Sequence, residues 1–358
     1  MTDGRKPRQE SMPSVRNIAA TAGVSAATVS RAINNHPEVR PETRERVLDV
    51  VRRLRYMPKF GVRQTSVIGL VYPGTPARPD YGDFDFTLMA GVLNGLSERR
   101  FDLQLISIAR DKLPEETYTQ FFVRKGLRGV ILRSSDEVRR VCLEIAAERF
   151  PHVVVADRFA EPEVNFVACD SRPSTAQAIR HLCDLGHRRI ALVVHQTDDT
   201  DHRDRASVHH LVLESYGEKI DPDLVIRVVA SPDGGASAIT RLLSLPEPPT
   251  AVYFTDPMAT LGGLRRCHEL GVHIPGELSI VGFDDSDVRW HTFPACTCVC
   301  QDARMLGAEA ARWLTRLLAG QVDGPLQSVR ATSFEINKTT APAPSAGPRI
   351  FPDGSRVR

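Results

Sequence analysis

Apolar residues recur with a helical period near the start of the chain. In residues 14–34, SVRNIAATAGVSAATVSRAIN, Val15, Ile18, Ala19 and Ala22 fall at i, i+3, i+4 and i+7, which predicts a short helix with one apolar face. Gly23-Val24-Ser25 breaks the period: Gly23 admits the left-handed turn conformation, and Ser25 is a good N-cap for a second helix. In that second helix Val29, Ala32 and Ile33 point one way, while Ala26, Ala27, Ser30, Arg31 and Asn34 point the other. A third helix is expected over residues 41–56, with proline at its start and Val47, Val50, Val51 and Leu54 along one side. Two short helices joined by a glycine turn, the second with a small and polar face, form the pattern of a helix-turn-helix whose second helix enters a major groove. An ordinary helical hairpin shares that spacing.

From residue 67 the period alternates. Short β-rich runs at 67–72, 103–108, 129–132, 153–156, 190–194, 225–229, 251–254 and 278–283 predict strands. Between them, helical patterns fall at 86–100, 117–125, 137–148, 175–185, 205–214, 236–243, 258–270 and 304–319. Continuous apolar strands linked by crossover helices mean parallel sheets covered on both faces. This many units suits two doubly wound lobes, with a ligand in the crevice at the carboxyl ends of the strands. The fold class is therefore α/β, with an all-α N-terminal domain.

Charge sharpens the N-terminal assignment. The formal net charge of +2 hides an asymmetry: residues 1–60 carry 12 Lys+Arg against 6 Asp+Glu, and the remaining 298 residues carry 34 against 38. Positive charge gathered in one small domain is the footprint of a polyanion partner. Arg31 is the one long cation on the exposed face of the second helix, so it is the candidate for a bidentate guanine contact. The first ten residues lack an apolar signal-peptide core, and no apolar run approaches the ~20 residues that span a bilayer. Seven cysteines scattered along 358 residues argue for a reducing cytoplasm rather than a disulfide framework.

Val15-Arg16-Asn17-Ile18-Ala19, Ala22-Gly23-Val24-Ser25, Thr28-Val29-Ser30-Arg31, Asn34 and Thr43-Arg44-Glu45-Arg46-Val47 resemble the DNA-binding domain of the lactose-repressor/galactose-repressor family, and the resemblance extends over residues 14–340. It implies a transcription regulator, a repressor binding operator double-stranded DNA as a homodimer or tetramer, controlled by a small effector, with a periplasmic-binding-protein-like core. Ser14, Ser25, Thr28, Ser30, Asn34 and Thr43 stand where the family contacts the operator, chiefly its phosphates. Ala26 and Ala27 occupy its main base-reading positions, where alanine offers at most a methyl contact to thymine. For the effector the resemblance points to Phe84, Arg205, Asp256 and Asp284, the last in a GFDD motif with Asp285, and to Trp290 beyond it. Carboxylates, a guanidinium and aromatic rings suit a sugar, pairing with its hydroxyls and covering its apolar face.

The domains expected are a disordered tail (1–13), the helix-turn-helix (14–57), a shortened linker (58–66), the core (67–340) and a loose Pro/Ser/Gly-rich tail (341–358). Within the core, an N-lobe of about 67–157 plus 286–304 and a C-lobe of about 158–285 plus 305–340 are expected. The linker lacks the family's usual hinge-helix residues, leaving Phe60 or Val62 as substitute wedges into the minor groove. No Walker loop, GxSxG or HExxH is present, so neither catalysis nor a cofactor or metal is expected. The alternative function is a sugar-processing enzyme or sugar-binding module with an accessory DNA-binding head. His202, His209 and His210 lack ligand spacing, which leaves a surface role. Cys296, Cys298 and Cys300 share a strand face, as a metal or redox cluster or as three small buried hydrophobes.

Overall fold

The computed structural model describes residues 14–33, 36, 38–53, 66–72, 83–134, 138–196, 200–322 and 324–351. At the N-terminus α1 (Val15–Ala22), α2 (Ala26–Ile33) and α3 (Pro41–Arg53) form a three-helix head. The Ser14 hydroxyl accepts from the Asn17 backbone N–H at 3.2 Å, and the Ser25 hydroxyl accepts from that of Thr28 at 3.1 Å. Each satisfies a donor that a helix start leaves orphaned. Gly23 sits at φ 66°, the left-handed turn that its missing Cβ permits. Ile18, Ala22, Val29, Ala32, Val47 and Val50 close the core between the helices. Leu54, Tyr56 and the linker through Thr65, with Phe60 and Val62, lie outside the described residues, as does the tail 1–13.

The described residues of 66–112 and 128–351 form the core, and residues 113–127 cluster apart from it. Its first half runs β1 (Val67–Tyr72), α4 (Asp83–Ser97), β2 (Asp102–Ser107) and α5 (Ile108–Asp111). Next comes α6 (Tyr118–Arg124), whose start is tied by a capping box between Thr117 and Gln120. The chain continues through β3 (Gly129–Arg133), α7 (Arg139–Ala147), β4 (His152–Val155) and β5 (Phe166–Asp170). The second half holds α8 (Arg172–Asp184), β6 (Ile190–His195), α9 (Thr200–Ser215), β7 (Val225–Val228) and α10 (Pro232–Leu243). It continues with β8 (Ala251–Phe254), α11 (Pro257–Glu269), β9 (Ser279–Asp284), β10 (Thr297–Cys300) and α12 (Ala303–Leu318), and ends with β11 (Gln327–Ala331) and β12 (Ser333–Glu335).

Two six-stranded sheets result, ordered β11-β5-β4-β3-β1-β2 and β12-β10-β9-β8-β6-β7. Every neighbouring pair is parallel except β12, which runs antiparallel to β10. The crossings between lobes correct the expected boundaries. β5 belongs to the first sheet, with Phe166 opposite both Val154 and Gln327, so the chain leaves that lobe after Asp170 rather than after Asp157. β10, inside the span 286–304 expected in the N-lobe, extends the second sheet. α12 and β11, expected in the C-lobe, return to the first lobe, where Leu306, Ala310 and Leu314 pack with Leu88, Val92 and Leu96 of α4.

Residues 341–351 also depart from expectation. The Ala343 N–H donates to Leu185 O and that of Ile350 to Leu243 O, both at 2.9 Å. Ile350 is buried in the second-lobe core. Prolines leave this segment few N–H groups to satisfy, and one isoleucine supplies the anchor. Residues 352–358 lie outside the described residues.

The lobes are built on close helix contacts. A Cβ on Gly262 of α11 would stand 1.8 Å from Pro232 O, and one on Gly235 of α10 would stand 1.9 Å from Ala259 O. Only glycine allows two backbones to approach that closely.

Candidate effector site and DNA-reading face

On α2 the side chains of Ala26, Ala27, Ser30 and Arg31 are exposed, and Thr28 is half-buried beside Ser25. The face is therefore small and flat, with one long side chain. The Arg31 guanidinium lies 3.7 Å from Glu38, both more than half exposed. Such a pair is worth little in water, so Arg31 can exchange it for a base edge. Thr43 is half-buried in the first turn of α3. Asn34 lies outside the described residues.

The core presents a second cluster, at the carboxyl ends of the second sheet. Arg205, expected at the head of α9, sits one turn inside it and is 3% exposed. Its Nη1 donates to Thr255 O at 2.9 Å, its Nε donates to the Ser171 hydroxyl at 3.3 Å, and its Cζ lies 3.6 Å from the centre of the Phe283 ring. Asp201, one helical turn earlier, is 3.8 Å away. Asp256 is the N-cap of α11, accepting from Ala259 N at 2.9 Å. The neighbouring Thr255 hydroxyl is buried and has no hydrogen-bond partner among the described residues.

The GFDD pair divides its labour. Asp284 is 2% exposed, and its carboxylate is filled by Arg289 Nη1 at 2.7 Å and by the backbone N–H groups of Ser286, Val288 and Arg289. Four donors exhaust a carboxylate, so Asp284 fastens the turn after β9 and has nothing left for an effector. Asp285 lies near Arg205 and Asp256, with Gln301 Nε2 donating to it at 2.5 Å. Burial pushes its pKa up to about 7; Arg205 and Gln301 oppose the rise, and Asp256 and Asp284 add to it. An acid whose pKa is raised on folding stabilises the native state at low pH, and that contribution is lost as pH rises through the folded value. The core should therefore lose stability between about pH 4, the ordinary carboxylate range, and about pH 7. Denaturant midpoints across this window should fall with pH in the wild type and run flatter in Asp285→Asn. Parallel slopes would mean that Asp285 ionises normally.

Two of the expected aromatic contacts are modified. The Phe84 ring carries Arg133 at 4.7 Å, held there by Asp85 at 3.2 Å, so one face is already covered. Trp290 is 55% exposed, and Arg289 lies 5.3 Å from its ring centre. Sequence reasoning named Asp285 only as part of its motif, met Ser171 only as a departure from the family's aspartate-asparagine and Asp201 only within the polar run 195–202, and passed over Gln301. Ser171 follows β5, a strand the periodicity did not reveal, and Gln301 is a single polar residue after a run of cysteines.

Other candidates resolve more simply. His209 is buried, not on the surface: its Nε2 meets Ile190 O at 3.2 Å, and burial lowers its pKa to about 3. Cys296, Cys298 and Cys300 pack in the second-lobe core. Burial pushes Cys300 up to about 12, and the contact with Cys296, followed by burial, raises Cys298. Cys298 and Cys300, held protonated in this way, fill space as small hydrophobes beside Cys296. Among the described residues no helix is long and apolar enough to cross a membrane.

Comparison with known proteins adds the family. Residues 14–59 match the model of bacterial regulatory proteins of the lacI family, and residues 179–339 match the periplasmic binding protein-like domain. The chain thus carries the DNA-binding domain of lacI-family regulators followed by a periplasmic binding protein-like domain. It is 26% identical over 336 residues to the HTH-type transcriptional regulator DegA of Bacillus subtilis (strain 168), spanning 92% of this chain and 98% of that relative. To the HTH-type regulator CelR of Thermobifida fusca it is 28% identical over 334 residues, 91% of this chain and 98% of the relative. A solved structure of a CelR–cellobiose complex superposes with a TM-score of 0.63 at 29% identity, covering 91% of this chain and 99% of that one. With that DNA-binding domain and transcriptional regulators as its relatives along almost its whole length, the chain is a DNA-binding transcriptional regulator.

Proposed function

We propose that the chain is a cytoplasmic repressor without catalytic activity that binds a pseudo-palindromic operator as a homodimer and is released or engaged by a sugar. Two-fold symmetry presents two Arg31-bearing helices to successive major-groove half-sites. Phosphate contacts from Ser14, Ser25, Thr28, Ser30, Asn34 and Thr43 set the register, and Arg31 supplies the base readout. The observation that carries the sugar reading is the buried, unpartnered Thr255 hydroxyl among Arg205, Asp256 and Asp285. Buried polar groups demand a partner, and a ligand rich in hydroxyls satisfies donors and acceptors at once. The cellobiose bound by CelR makes that sugar the first to try.

Binding to the protein's own upstream DNA and to a scrambled duplex, measured across salt concentrations, tests the reading. Nanomolar affinity with about a thousandfold preference for the upstream duplex is expected. Equal affinities that fade together with salt would reduce the interaction to phosphate attraction. In the same assay Arg31→Ala should weaken operator binding by about 1–3 kcal/mol and relax preference at one base pair per half-site. An unchanged preference would remove Arg31 from base readout.

The second copy docks, in this reading, on the first lobe. Leu93 of α4 and Leu105 of β2 are about half exposed, and β2 is an edge strand. Unpaired edges with apolar side chains invite a partner. The double variant Leu93→Glu/Leu105→Glu should sediment as a monomer and lose most of its operator affinity. A persistent dimer would move the interface elsewhere.

A further inference from the structure

The first lobe grips the head of α9 through groups other than Arg205, Asp256 and Asp285. After β4, Ala156 adopts φ 60°, a strained left-handed turn for a residue with a side chain. The turn delivers Asp157, 4% exposed, to a ring of donors. Its Oδ2 accepts from the Ser134 hydroxyl at 3.0 Å and Arg139 Nη1 at 2.8 Å, and its Oδ1 accepts from Arg158 N at 2.8 Å. Arg139 also donates to Arg158 O at 2.8 Å and lies 3.9 Å from the centre of the Phe159 ring. These groups all belong to the first lobe, so Asp157-Arg158 is a braced platform.

The second lobe is fastened to this platform. The Thr200 hydroxyl donates to Asp157 Oδ1 at 3.1 Å. Four alternating charges close a ring beside it. Arg158 pairs with Asp204, Asp204 stands 3.8 Å from Arg172, Arg172 grips Asp170 at 2.8 and 2.7 Å, and Asp170 stands 3.8 Å from Arg158. Arg158 and Asp170 ride on the first lobe, and Arg172 and Asp204 ride on the second, on either side of the crossing at Ser171. The Arg158, Asp170 and Asp204 side chains are a quarter exposed or less, and Arg172 is half exposed. A connected, partly desolvated network of this kind outweighs isolated surface pairs.

Both functions share one helix. Thr200 and Asp204 are four residues apart on α9 and hold the first lobe. Asp201 and Arg205, one position further along each, form the adjacent stripe and face the effector site. We propose that the four-charge ring, with the Asp157–Thr200 hydrogen bond, positions α9 so that it sets both the angle between the lobes and the placement of Arg205. Arg158 and Asp204 are thus positioning residues for effector response. This last clause rests on the effector reading above; the grip itself does not. A rigid helix tied on one stripe to the opposite lobe cannot move its next stripe independently, so a ligand that favours one placement of Arg205 favours one lobe angle.

The native thiols are buried, so spin labels can be directed to Glu98→Cys on the first lobe and Glu247→Cys on the second, both exposed positions. Labelled chains diluted with unlabelled protein then report the distance between lobes by dipolar spectroscopy, without any ligand. One narrow distribution is expected in the parent. Asp204→Asn and Arg158→Gln should each add a second population, the double variant should add no more than the worse single one, and Asp204→Glu should restore the narrow distribution. A narrow distribution in both neutral variants, folded by circular dichroism, overturns the grip. For the coupling, Asp204→Asn should change affinity for the upstream duplex at least threefold, whereas the exposed Asp233→Asn should not; equal affinities overturn it. Should the parent show no preference for its upstream DNA, the regulator reading fails, while the distance measurement still decides the ring.

Discussion

Replacing Arg289 by methionine should destabilise the core by about 3–5 kcal/mol, the cost of leaving one partner of a buried ion pair without the other. The guanidinium is 9% exposed and binds three carboxylates: Asp284 and Asp287 through Nη1, each at 2.7 Å, and Glu335 through Nε and Nη2 at 2.7 and 3.0 Å. Asp284 is 2% exposed and has no water to turn to. Glu335 lies on β12, so the same side chain ties the turn after β9 to the edge of the second sheet. Arg289→Lys keeps the charge but loses the fork that reaches several carboxylates at once, and about half the loss is expected of it. Urea unfolding monitored by far-ultraviolet circular dichroism measures both. A change under about 1 kcal/mol for methionine would mean that the three backbone N–H donors sustain Asp284 without Arg289.

The second large effect comes from a single methyl group. In Gly262→Ala the new Cβ meets the Pro232 carbonyl oxygen at 1.8 Å, and a backbone atom cannot swing aside as a side chain can. α10 and α11 must separate by more than an ångström, which also loosens the Gly235–Ala259 contact. Overpacking of a core costs about 1–3 kcal/mol and occasionally more; a contact between two backbones belongs at the upper end, about 3 kcal/mol. α11 opens on Asp256, so its displacement should also weaken effector binding. Equal denaturant midpoints for wild type and variant would show that the helices part without loss of packing.

Much of this fold is legible in the sequence because helical and strand periods are local. β1 and β8 fall where the apolar runs begin and end, and each expected core helix is present within a few residues of its pattern. What escaped is non-local. β5 is five residues long, too short a run to carry a period of its own, although Pro162 and Asn165 mark a turn before it. β11, Gln327–Ala331, is an exposed edge strand with polar side chains and carries neither alternation nor an apolar run. Its pairing with Phe166 bridges 161 residues, which no period can reveal. The expected lobes already cross between segments, but they end the first passage one strand early and place β10 and β11 in the wrong sheets, because no local period records which sheet a strand joins.

The site shows the same division. Resemblance points to Arg205 and Asp256, and the structure sets them near one another, with Arg205 one turn inside α9 donating to the carbonyl of Thr255 and Asp256 at the start of α11. Which aspartate of the GFDD pair keeps its carboxylate clear of the turn depends on Arg289, five residues on, claiming the first of them. The docked C-terminal segment was misjudged because composition counts prolines and serines, whereas one buried isoleucine and two backbone hydrogen bonds decide whether the segment stays.

The threefold passage of the chain between sheets bears on how the protein is made. The first sheet receives its edge strand β11 and the cover of α12 only after the strands β6 to β10 of the other lobe have left the ribosome. Until then Leu88, Val92 and Leu96 of α4 have nothing to pack against on that side. The lobe begun first is therefore the one completed late, and the nascent chain carries an uncovered apolar face through most of its synthesis, when chaperones have the most to hold.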